Sequence, residues 1–80
     1  MTKTAAPTTT EIWRDGFNCR VVAVDGEGIR VETIVPHNSE TEFARYVEET
    51  ETAFRAFGLV QAPTTAEPGL VARWRKPNLH

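Results

Sequence analysis

The chain reads as a small α+β domain, a two-layer sandwich in which an antiparallel three-stranded meander carries one helix and a C-terminal strand, in the order βββαβ. Two β-branched stretches flank the turn Asp25-Gly26-Glu27-Gly28, which is a hairpin signature. Ser39 and Glu42 form an S-x-x-E capping box at the head of an amphipathic segment that runs to Phe57 and stops at Gly58. Leu70 to Arg75 returns to a weak alternation before Pro77, which reads as the last strand.

The meander is set by parity. Phe17, Cys19, Val21 and Ala23 form one apolar row, and Ile29, Val31, Thr33 and Val35 form another. The two rows share a face only if partner numbers sum to an even value, because side chains alternate with a period of two. A loop of residues 25–27 with Gly28 as a bulge, pairing Val24 with Gly28, meets that condition and sets Arg20 opposite Glu32 and Cys19 opposite Thr33. Asp15-Gly16 predicts a second hairpin, pairing Ile12 with Cys19 and placing Glu11 beside Arg20. The result is a charged row, Glu11–Arg20–Glu32, on the solvent face.

From Ser39 to Phe57 the apolar residues Phe43, Tyr46, Val47, Ala53, Phe54 and Phe57 recur at helical spacing, and Phe43, Val47, Phe54 and Phe57 are expected to pack on the odd-numbered face of the meander. Arg45 with Glu49 and Glu51 with Arg55 sit at i,i+4 and suit surface ion pairs. Leu59-Val60 is a brief extended piece, and Gln61 to Pro68 is a linker. Residues 1–10 are expected to be a disordered N-terminal tail, residues 11–76 the single domain and 77–80 a C-terminal tail.

An 80-residue chain has a thin core. Its single Cys19 permits no internal disulfide, which favours a reducing, cytoplasmic setting and a dimer interface or partner that completes the core. No apolar run is long enough for a membrane span. Net charge is −2, but the helix segment is acidic and the C-terminal segment, with Arg73, Arg75 and Lys76, is basic.

Chemistry-bearing patterns are sparse. Cys19 and His37 are the candidates for a thiol nucleophile and its base, yet Thr33 opposite Cys19 leaves His37 about 13 Å along the strand. Cys19 reads as a small buried hydrophobe and His37 as part of a strand-to-helix turn. One cysteine and two distant histidines match no zinc spacing, so neither a metal nor another cofactor is expected. Glu48, Glu49 and Glu51 read as a solvated helix face, and the acidic Asp25–Gly28 turn would repel phosphate. No catalytic residue is assigned.

Two binding readings remain. Trp13, Val22, Val24 and Ile34 lie on the sheet face opposite the helix, as a patch for a protein partner or for self-association. The linker around Pro63–Pro68 is the competing cover for that patch. The predicted partner-binding set is Trp13, Arg20, Val22, Ile34 and Trp74, with Arg73 and Arg75 as orienting charges, in a non-enzymatic regulator, inhibitor or accessory subunit. The alternative is a nucleic-acid-associated regulator that uses Arg73, Trp74, Arg75 and Lys76, combining phosphate contacts with base stacking. Over residues 18–57 a hairpin ending in Val35-Pro36 and followed by a capped helix resembles, in order of elements, the small antitoxin-like domains of the HicB type. That resemblance implies no residue roles here.

Overall fold

The computed structural model describes residues 7–77. Five strands and one helix follow in the order β1 (Pro7–Asp15), β2 (Asn18–Asp25), β3 (Arg30–Pro36), α1 (Glu40–Ala56), β4 (Val60–Ala62) and β5 (Leu70–Arg75). The fold is α+β, with all strands in one antiparallel sheet of spatial order β3-β2-β1-β5-β4. The sheet has five strands rather than four, because the short piece after Gly58 pairs with β5 as an outer strand.

The last strand docks beside β1, which makes β1 the central strand of the sheet. That position explains why β1 starts at Pro7. Residues 7–10, expected to belong to a disordered tail, are held by β2 on one side and, from Thr9, by β5 on the other, and Thr10 is buried. Residues 1–6 and 78–80, which hold the rest of the expected tails, lie outside the described residues.

Both meander turns sit one residue later than the sequence suggests. The β1–β2 loop is Gly16-Phe17, between Asp15 and Asn18, with Gly16 at φ 62°. Glycine in the first loop position takes the positive φ of a type II′ turn, which spares Asp15 that conformation. At the β2–β3 end, Gly28 N–H donates to Asp25 O, Asp25 N–H donates to Ile29 O, and Gly28 lies at φ 84°. This is a three-residue loop with a glycine bulge, closed by the Asp25 carboxylate, which accepts from Glu27 N–H at 2.8 Å and Ile29 N–H at 3.0 Å.

A turn displaced by one residue moves every partner by two, so face assignments survive while individual partners change. Ile12 opposes Val21, Cys19 opposes Val35 and Arg20 opposes Ile34. The Arg20–Glu32 ion pair still forms, at 3.0 Å, now as a diagonal neighbour rather than a direct partner. The expected Glu11–Arg20 contact gives way to a different pair: Glu11 accepts from Arg73 of β5 at 2.8 Å.

Ser39 caps α1, its hydroxyl accepting from Glu42 N–H at 3.2 Å. The Glu42 carboxylate reaches back to Asn38 N–H at 2.9 Å, one residue beyond the usual capping-box partner, the N-cap Ser39. At the other end Gly58 N–H donates to Arg55 O and Leu59 N–H to Phe54 O, the paired bonds of a Schellman close. Phe54 and Leu59 are both buried there, so the hydrophobic contact of that motif merges with the core. Phe57, expected on the inner face, is the C-cap residue and is exposed.

The core joins Ile12, Cys19, Ala72 and Trp74 of the sheet to Phe43, Phe54 and Leu59, with Val21, Tyr46 and Val47 packed at its margin. A 17-residue helix is about 25 Å long, and four inter-strand steps span about 19 Å. One helix can therefore leave β3 at one edge, cross the sheet and deliver the chain to β4 at the other. Its crossing leaves the start of β3 bare on the helix side.

Candidate functional site: the uncovered sheet face

On the side away from α1, the cross-strand pairs Trp13↔Arg20, Arg20↔Ile34 and Val22↔Glu32 bring together residues that are far apart in the chain. Trp13, Arg14, Asp15, Arg20, Glu32, Ile34 and Pro68 line an open cleft of about 530 Å³. Three residues of the predicted partner set, Trp13, Arg20 and Ile34, thus share one surface.

Polar contacts at this surface hold the indole in place. Trp13 Nε1 donates to Glu11 Oε1 at 3.1 Å, and Arg20 lies over the Trp13 ring with its Cζ 5.4 Å from the centroid. Glu11 in turn accepts from Arg73, whose guanidinium also approaches Glu67 at 3.8 Å. On the other flank Arg20 and Arg30 both approach Glu32, at 3.0 and 3.7 Å. Arginine and carboxylate alternate around a half-buried tryptophan, and Ile34 stands 62% exposed beside it. An aromatic anchor ringed by paired charges is a common arrangement at protein-recognition surfaces.

The linker covers part of this face. Arg14 N–H donates to Gly69 O at 2.6 Å, and Pro68 forms one wall of the cleft. The linker thus shelters one side of Trp13 and leaves Ile34 open.

Two predicted partner-binding residues do not belong to the exposed site. Val22 lies on the right face but is only 4% exposed, between its cross-strand neighbours Glu11 and Glu32. Trp74 lies on the opposite face, 3% exposed in the core against Phe54. Its Nε1 donates to Glu51 at 2.9 Å, and Arg55 lies 5.2 Å over its ring. Glu51 and Arg55, expected to pair with one another, both turn to this indole.

Burial of Trp74 also changes the basic strand. With the indole inside and Arg73 paired to Glu11, the predicted Arg73-Trp74-Arg75-Lys76 patch reduces to the exposed Arg75 and Lys76. A base cannot stack on Trp74 in this arrangement.

Cys19 is fully buried, and that burial pushes its thiol above the ordinary range. A thiol so placed is a poor source of thiolate. The observed register brings His37 two residues beyond the Cys19 partner rather than four. Its ring packs against Phe43 and Tyr46, with centroids at 5.9 and 4.9 Å. Among the described residues no group of three or more His, Cys, Asp or Glu side chains is arranged to hold a metal ion.

Arg14 and Asp15 also line the cleft and were not among the residues expected there, whereas Glu32 and the linker proline Pro68 were expected at this face. Glu32 was legible as the partner of Arg20, whereas Pro68 reaches the site only because β5 docks beside β1. No family model, no curated protein and no solved structure matches the chain. No described helix is long and apolar enough to cross a membrane.

Proposed function

We propose that this chain is a small non-enzymatic interaction module, a regulator, inhibitor or accessory subunit, that docks a protein partner through the uncovered sheet face around Trp13, Arg20 and Ile34. The observation that carries the reading is the exposed Ile34 beside a hydrogen-bonded, half-buried Trp13 on the face that α1 does not cover. Apolar groups in such a setting gain by leaving water, and the paired charges around them orient the approach. The non-enzymatic reading is supported by the sealed Cys19 thiol, and a reducing, cytoplasmic setting fits a single cysteine left unpaired.

The test compares wild type with Trp13→Ala and Ile34→Asp. Both variants are expected to keep the wild-type circular dichroism and to lose the partner that co-purifies with the wild-type chain from its native host. Undiminished capture by folded Ile34→Asp overturns the assignment of the face.

A further inference from the structure

The geometry points to a second site, at the edge of the sheet rather than on its face: β3 pairs antiparallel with β3 of a second copy of this chain, about a two-fold axis through Val31. The inference stands whether or not the face docks another protein.

Backbone direction comes first. Asp25 N–H donates to Ile29 O at 3.1 Å, and His37 N–H donates to Phe17 O at 3.0 Å, at the two ends of an unbroken β2–β3 register. Hydrogen-bonded pairs alternate along an antiparallel ladder, so the odd residues 29 to 37 direct their backbone groups to β2. The N–H and C=O groups of Arg30, Glu32 and Ile34 therefore point to the free edge. β3 is a terminal strand of seven residues, whereas β4 at the opposite edge has three.

The side chains flanking that edge are apolar and bare. Ile29 and Val31, on the helix side, are each 57% exposed, and Ile34 projects from the other side. Natural sheets shield a regular edge with lysines, bulges or a covering segment. Among the described residues, β3 has only Pro36 at its very end and the opposed charges Arg30 and Glu32.

Those charges select the second copy as the occupant. Edge bonds form only if even residues meet even residues, which leaves axes at Val31, Glu32, Thr33 and Ile34. An axis at Ile34 sets Glu32 opposite Pro36, which has no N–H to donate. An axis at Glu32 sets two carboxylates opposite each other, and like charges there are destabilising. With the axis at Thr33, Glu32 stands opposite Ile34. Placing it at Val31 sets Arg30 opposite Glu32 and Glu32 opposite Arg30, each pair exchanging both backbone hydrogen bonds. Val31 then meets its own copy, and Ile29 meets Thr33. Such an axis is perpendicular to the sheet, so both helices lie on one side and the bare Ile29 and Val31 side chains of the two copies gather in the trough between them.

The contact is short, so monomer and dimer exchange and the mass depends on concentration. Sedimentation equilibrium is expected to show a rise from the 8.9 kDa chain mass toward twice that value as concentration increases. Glu32→Pro deletes an outward N–H while leaving the bonds to β2 intact, and should abolish the rise with unchanged circular dichroism. Trp13→Ala, which disables the face, should leave the mass unaltered. Val31→Cys should form a disulfide-linked dimer under mild oxidation faster than Thr33→Cys, with Cys19 remaining buried. A wild-type mass fixed at that of the monomer up to millimolar protein overturns the proposal. So does a dimer that persists in folded Glu32→Pro, or cross-linking at position 33 in preference to 31.

Discussion

Trp74 donates from its indole nitrogen to the Glu51 carboxylate at 2.9 Å, joining the last strand to the fourth turn of the helix. The bond gives the one polar atom of a buried indole a charged acceptor, and it ties α1 to β5 where Phe54 packs against the same ring. A residue that reads in sequence as the centre of a basic binding strand is thereby part of the core.

Trp74→Ala should therefore act on stability. Removing a buried Trp side chain costs about 3–5 kcal/mol, a large fraction of the ~5–15 kcal/mol that holds a domain folded. Glu51→Gln keeps the shape and replaces a charged acceptor by a neutral one, at a cost of about 1 kcal/mol. Urea unfolding should rank the three proteins in that order.

Gly69 is a second point of tight fit. It lies at φ 86°, and a Cβ there would stand 2.9 Å from the Arg14 carbonyl oxygen. Gly69→Ala should destabilise by more than about 1 kcal/mol, because it combines an unfavourable φ with a backbone clash. Gly28 has nearly the same φ, 84°, and open space around it. Gly28→Ala isolates the conformational cost, and the difference between the two variants in thermal unfolding reports the close approach of the linker to β1.

Arg14 and Glu40 join the turn end of β1 to the first turn of α1 through a two-pronged contact, and the guanidinium holds the Glu40 carboxyl below its usual range. A carboxyl whose pKa falls on folding contributes stability above its unfolded value, near pH 4.3, and loses that contribution as pH falls through the folded value. Glu40→Gln should thus unfold at a lower temperature than wild type near pH 7, and the gap should close in acid. Both partners are exposed to solvent, so the gap should also narrow with added salt. A gap that persists at pH 2 would show that Glu40 acts through something other than its charge.

The outcome at the two turns shows what kind of information local sequence carries. Asp15-Gly16 and Asp25–Gly28 mark the hairpins, but which residue occupies the loop depends on whether glycine takes the first or second position and on which donors the Asp25 side chain accepts. Each slip moved partners by two, so Cys19 and Ile12 stayed inward and Trp13 and Ile34 stayed on the reverse face. The candidate site was legible for that reason. Its fourth and fifth expected members were not: Val22 sits between close neighbours, and Trp74 takes the inward parity of a strand whose position local signals leave open.

By itself the amino-acid order determined the elements and their faces, because hydrophobic period, caps and glycine turns are properties of neighbouring residues. Only the tertiary structure decided that β5 adds to β1, that β4 adds to β5 and that β3 is left as an open edge. Strand adjacency is chosen by long-range burial: Trp74, Ala72 and Leu59 reach the interior only when the C-terminal half folds back beside β1 under the helix. No window of sequence records that choice.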